Sequence, residues 1–147
     1  MRTAQSKFTT YSTIYLRLAL GAAYLSSVAS RFGLWGQGNG WGNFRNFLIY
    51  TAKLNPFLPA SLIPPVGWLA TIAETVLAVL IVFGIRLRMA AILSGILLLL
   101  FAIGMAIGFG VKEPLDYSVL TASAASLLLA ASAPHHGFDD HETERLR

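Results

Sequence analysis

Four stretches of the chain carry almost no charge, and each is about as long as a bilayer is thick. They run from Tyr11 to Phe32, Val66 to Phe83, Met89 to Phe109 and Tyr117 to Ala133, and each holds 17 to 22 residues. About 20 helical residues cross a ~30 Å hydrocarbon core. Barrel strands alternate in polarity and run about 10 residues, so spans this long and continuous read as helices. The expected fold is an all-α membrane protein, a four-transmembrane-helix bundle. The fourth span is the shortest and is rich in Ala and Ser. It is expected to pack inside the bundle rather than to face lipid on its own.

The totals agree with that class. Charged residues make up 12% of the 147 residues and hydrophobic ones 55%, where a soluble domain is about one quarter charged. The length allows one domain: residues 1–134 as the membrane domain, with 135–147 as a polar cytoplasmic tail. The net charge of +4 is spread over helix ends and tails. No basic stripe of the kind that binds nucleic acid is present, so no nucleic-acid partner is expected. The chain has no cysteine, which removes disulfide exchange, thiolate catalysis and thiol-ligated metals from its own repertoire. Its three histidines, His135, His136 and His141, all fall in the tail. With Asp139 and Asp140 they read as a solvated segment, and no metal site is expected. Arg2 and Lys7 ahead of an apolar run that ends Val28-Ala29-Ser30 resemble a secretory signal. Arg17 interrupts that run, so the segment is expected to remain as the first span.

The links between spans are short, with one exception. Gly84 to Arg88 joins spans two and three, and Val111 to Pro114 joins three and four, which makes neighbouring helices antiparallel. The long link from Gly33 to Pro65 opens with a glycine-rich run. It continues through Asn43 to Asn55, where Phe44, Phe47, Leu48, Thr51 and Leu54 share one helical face. That pattern predicts a short amphipathic helix at the membrane interface. Four crossings place both termini on one side with Arg86 and Arg88. That side then carries Arg2, Lys7, Arg86, Arg88, Arg145 and Arg147, against Arg31, Arg45, Lys53 and Lys112 on the other. Lys and Arg favour the cytoplasmic face, so both termini are expected inside, with the chain in the inner membrane of a bacterium. Trp35, Trp41 and Trp68 would mark the outer interface, and Tyr11 and Tyr15 the inner one.

Polar residues within spans carry the functional expectation, because an ionisable group at mid-bilayer costs on the order of 3 kcal/mol on insertion scales. Glu74 sits in the middle of the second span, with small neighbours Gly67, Ala70, Thr71 and Ala78 on its helical face. It is expected to point into the bundle. Arg17, on a face with Gly21, Tyr24 and Arg31, is the expected partner. Three readings stand for the two residues: a structural pair within the bundle, Arg17 snorkelling to the headgroups while Glu74 is protonated, or a polar pocket with Tyr24 that holds a small ligand or relays protons. Asp116 is read as the N-cap of the fourth helix or as a polar gate with Lys112 and Tyr117. Gly104 and Gly108 are read as a helix-packing pair. No catalytic motif is present.

The chain resembles the DoxX family of small membrane proteins over about Leu16 to Ala131. The resemblance is carried by Arg17 followed by Gly21 and by the link with Trp41, Phe44 and Tyr50. It is also carried by Ala73-Glu74 followed by Gly84-Ile85-Arg86, and by Lys112-Glu113-Pro114-Leu115-Asp116-Tyr117. It implies a four-helix membrane bundle and an association with redox systems, since relatives include a membrane subunit of a thiosulfate:quinone oxidoreductase. The leading expectation is a membrane subunit of a redox complex that holds a membrane-supplied quinone-like ligand near Arg17 and Glu74. Its electrons would come from a membrane protein partner, and the chain would not be a catalyst alone. The alternatives are an assembly subunit, or homo-oligomer, packing through its small-residue faces, and a small-molecule transporter.

Overall fold

A computed structural model describes residues 2–36, 38 and 40–133. The chain forms α1 (Arg2–Arg31), α2 (Phe44–Leu54), α3 (Ile63–Phe83), α4 (Leu87–Phe109), α5 (Lys112–Asp116) and α6 (Val119–Ser132), with a 3-10 turn at Ala60–Leu62 leading into α3. The described residues are all-helical, with no strand among them. The tail expected at 135–147 lies outside the described residues.

Two segments are long and apolar enough to cross a membrane: Ala60–Phe83 and Leu87–Phe109, with mean hydropathies of 2.2 and 2.6. At 1.5 Å per residue each exceeds the ~30 Å core. Only 33% of each apolar window is buried within the chain. Leu69, Ile72 and Val76 of α3 and Ile96, Leu100 and Ile103 of α4 all stand exposed. A soluble protein does not present an apolar surface of that extent to water, so these faces belong against lipid. The other two expected spans take a different form. Helix α1 has 30 residues and contains Arg17 and Arg31. Helix α6 has 14 residues, about 21 Å, and is set off from α5 by a break at Tyr117–Ser118, where Ser118 takes a left-handed φ of 54°.

Helix ends follow local sequence. Pro64 and Pro65 occupy the first turn of α3, where the missing amides cost nothing. Gly84 ends α3 in the left-handed region (φ 73°). The Gly84 amide donates to Ile81 O and the Ile85 amide to Leu80 O at 2.9 Å, the pattern of a Schellman cap. Helix α1 runs antiparallel to α3, so that Gly21 lies against Ala78 and Val82. Helix α4 runs antiparallel to α6, with Gly95 against Leu127 and the Ser123 carbonyl. Leu20, Leu77, Ala78, Ile81, Ala91 and Leu129 fill the middle.

Helix α2 forms where the amphipathic pattern predicts it. Asn43 caps it, its Oδ1 accepting from the Asn46 amide at 2.9 Å. Phe47 and Thr51 are buried, and the apolar face meets protein rather than lipid alone. A Cβ on Gly67 of α3 would lie 2.5 Å from Leu48 Cδ2, and one on Gly108 of α4 would lie 2.5 Å from Lys53 O. Glycine on both sides therefore lets α2 settle between α3 and α4 and close one end of the bundle. The Gly104–Gly108 pair packs a helix as expected, and that helix is α2.

Candidate functional site

The centre of the site is a buried ion pair. Arg31 Nη2 donates to Glu74 Oε1 at 2.5 Å, and the two side chains are 4% and 2% exposed. Arg31 Nη1 donates to Thr71 Oγ1 at 2.7 Å, and Nη2 also reaches Ser27 Oγ at 3.3 Å. The guanidinium carbon lies 3.9 Å from the centre of the Phe47 ring, within cation–π range. Two polar atoms of the pair, Arg31 Nε and Glu74 Oε2, are buried with no hydrogen bond of standard geometry. Buried polar atoms are usually satisfied, so these two atoms stand out against the rest of the cluster.

The expected Arg17–Glu74 pair does not form. Arg17 Nε donates to Ile81 O at 2.9 Å and Arg17 Nη2 to Val82 O at 2.7 Å. The reason is register. The antiparallel packing of α1 on α3 sets Arg17 beside the last turn of α3, eight residues from Glu74, or about 12 Å along the axis. The same packing sets Arg31 beside Thr71, three residues from Glu74. Arg17 instead satisfies Val82 O, adds a second donor to Ile81 O beside the Gly84 amide, and places positive charge at a helix C-terminus.

Tyr24 is buried, and its hydroxyl pairs with Ser94 Oγ at 2.8 Å; Ser94 Oγ pairs in turn with Ser126 Oγ at 2.9 Å. This chain of hydroxyls ties α1 to α4 and α6, below the ion pair. Asp116 does not cap α6. It ends α5 and pairs with Lys112 four residues earlier on an exposed turn, and Ser118 holds the cap position without a side-chain bond. The sequence Lys112 to Asp116 forms a helical turn of its own, which moves Asp116 off the start of the last helix. Of the four expected site residues, only Glu74 lies at the ion pair. Arg31 was missed because it stands next to the end of an apolar stretch and reads there as an interface charge.

A cavity of about 750 Å³ opens beside the pair. Arg31, Glu74 and Ser27 lie on its floor, with Phe47, Tyr50 and Leu54 of α2 above and Phe101 and Met105 of α4 opposite. Trp35, Trp41 and Tyr117 complete an aromatic rim. The rim is preassembled: Trp41 packs on Tyr50 with centroids 4.3 Å apart, and Tyr50 stacks on Phe109 at 5.0 Å. Gly40 (φ 74°) passes so close to Ser30 Oγ that a Cβ would overlap it, and the neighbouring Trp41 amide donates to that oxygen at 2.9 Å. Burial, with Glu113 and Tyr117 nearby, pushes the Tyr50 phenol up to about 12, so it stands neutral at physiological pH. The size falls within the range of small-molecule sites, about 300–1,000 Å³, and an apolar lining with a few convergent polar groups is their usual make-up.

Residues 9–118 match the family model described as methylamine utilisation protein MauE. That match takes in all but the first seven residues of α1, runs through α5, and so includes the ion pair and most of the cavity lining. A search of curated proteins and of solved structures finds no significant match. The family shown is not the DoxX family that the motifs resemble. With three quarters of its length matched, and with lipid-suited faces on α3 and α4, the chain belongs to the MauE family of membrane proteins.

Proposed function

We propose that the chain is a four-crossing membrane subunit of a redox-associated amine-utilisation system, and that its cavity holds a quinone-like ligand over the Arg31–Glu74 pair. The observation that carries the reading is a ligand-sized, aromatic-rimmed cavity lined by both members of a buried ion pair. The family name supplies the amine-utilisation setting. Aromatic walls suit a flat ring. Arg31 would donate to a ring oxygen, and Glu74 Oε2 would hold or release a proton beside it. The chain offers no thiol, and a partner protein would supply the electrons.

In this reading α1 and the α5–α6 unit cross with α3 and α4, and both termini are cytoplasmic. The charge count supports that orientation more strongly once Arg31 is removed from the outer set, since it is buried in the pair. The count becomes six against three.

The test is extraction of small molecules from the protein purified in mild detergent, beside Glu74→Gln. A quinone in stoichiometric amount that falls about tenfold in the variant, a loss of about 1.4 kcal/mol of binding, is the expected result. Wild-type protein that carries no quinone and binds none on titration would overturn the reading.

A further inference from the structure

We infer that the cavity is filled from the bilayer through a slot between α1 and α6, and that its occupant is an amphiphile whose ring sits inside while a hydrocarbon tail trails into lipid. The inference rests on the quinone-type reading of the site.

Helices wall the cavity on most sides. Glu74 and Arg31 close the α3 side. Trp35, Trp41 and α2 border the end: Trp35 Nε1 donates to Ser26 O at 3.1 Å, and the Trp41 amide to Ser30 Oγ at 2.9 Å. Phe101 and Met105 form the α4 wall. Below, the Tyr24–Ser94–Ser126 hydroxyl chain bridges α1 to α4 and α6. The thinnest wall is the seam between α1 and the start of α6, where Ala23, Ser26, Tyr117 and Val119 line the cavity together. Helix α1 packs chiefly on α3 and α6 chiefly on α4, so this seam is thinly packed. Ala23, Ser26 and Tyr117 are exposed, and two of the three are small enough to leave a gap.

Depth decides what the slot faces. Gly21 lies against Ala78, and Arg31 bonds Thr71. This register sets Ala23 about level with Val76 and Ser26 about level with Ala73. Ile72 and Val76 are exposed on the outer face of a helix fit to span a membrane. The slot therefore opens at the same depth as lipid-facing side chains, into hydrocarbon rather than water. Volume points the same way. An amine of two heavy atoms, about the size of two waters at ~30 Å³ each, would leave more than nine tenths of a 750 Å³ cavity empty. A substituted ring with the start of a tail would fill it.

The absence of cysteine allows a direct test. Ser26→Cys, spin-labelled and placed in nanodiscs, is expected to be broadened by dissolved oxygen more than by a water-soluble nickel chelate, as Leu69→Cys on the lipid face of α3 would be. The opposite preference overturns the slot. Ala23→Trp and Ser26→Trp are then titrated with a benzoquinone bearing a decyl tail and with the same ring lacking a tail. The tailed probe is expected to bind about tenfold more weakly to both variants, with the tail-less probe little changed. Leu69→Trp, on the exposed face of α3 away from the cavity lining, is expected to bind both as wild type does. Unchanged binding of the tailed probe to Ala23→Trp and Ser26→Trp, or loss of both probes in both, overturns the slot. Wild-type protein that binds neither probe overturns the quinone reading itself, a result distinct from a failed slot.

Discussion

Arg31 and Glu74 meet at 2.5 Å across the α1–α3 interface, in a position where neither side chain is more than 4% exposed. Two desolvated charges hold one another in place, and each is costly alone. Removing one partner of a buried pair leaves the other uncompensated, at about 3–5 kcal/mol. Arg31→Ala is therefore expected to lower stability by that amount, read as thermal unfolding in mild detergent. Replacing both residues by methionine is expected to restore most of the loss and to abolish ligand binding. A single variant within 1 kcal/mol of wild type would mean that the pair is open to water, contrary to its burial.

Arg17 gives the opposite expectation. It bonds two carbonyls of the last turn of α3 at 2.9 and 2.7 Å and lies far from the cavity floor. Hydrogen bonds to charged groups contribute about 1.5–3 kcal/mol each, and half exposure reduces that. Arg17→Ala is expected to destabilise by about 1–3 kcal/mol, while the protein that remains folded binds ligand with wild-type affinity. A variant of normal stability that had lost its ligand would return Arg17 to the binding site.

The contrast between the two arginines marks how far the sequence could be read. The helices over α3 and α4 follow from apolar runs that only lipid can match, and α2 follows from five residues on one face. Glu74 follows from the cost of a charge at mid-span. The partner does not follow, because it depends on the offset between two packed helices, which composition does not encode. Arg17 interrupts the first apolar run whereas Arg31 stands at its end, so Arg17 reads as the partner of a mid-span carboxylate. One local signal pointed to the right answer: Gly21 facing Ala78 sets the offset, and with it Arg31 falls beside Thr71. The break at Ser118 was hidden for a similar reason, since no glycine marks its left-handed φ.

Tyr50 supplies a pH signature outside the spans. Its phenol is pushed up from 10.0 to about 12, first by burial and then by Glu113 and Tyr117. A raised pKa in the folded state means that the neutral form is favoured there. The stability it contributes is complete below pH 10 and is lost as pH rises towards 12. Wild-type protein is expected to lose stability more steeply than Tyr50→Phe over that window, and the two are expected to run parallel below pH 9. Parallel curves throughout would show that Tyr50 is solvated and that α2 does not seal the cavity rim.

The seating of α2 offers the last expectation. Its C-terminal backbone rests on Gly108, where an added Cβ would come within 2.5 Å of Lys53 O and 3.0 Å of Leu54 Cα. Backbone atoms cannot swing aside as a side-chain tip can, so a larger residue must lift α2 off α4. Helix α4 itself should survive, because Gly108 is its penultimate residue and valine is no worse a helix former than glycine. Gly108→Val is thus expected to leave the bundle folded while loosening the roof over Phe47 and Tyr50. Hydrogen exchange should rise across Phe44–Leu54 and stay unchanged in the middle of α3 and α4. Ligand affinity should fall by about tenfold or more, because the ring loses its upper wall while Arg31 and Glu74 remain in place. Exchange that rises evenly over all helices would mean instead that α2 is part of the cooperative core, and that the roof cannot open without the bundle.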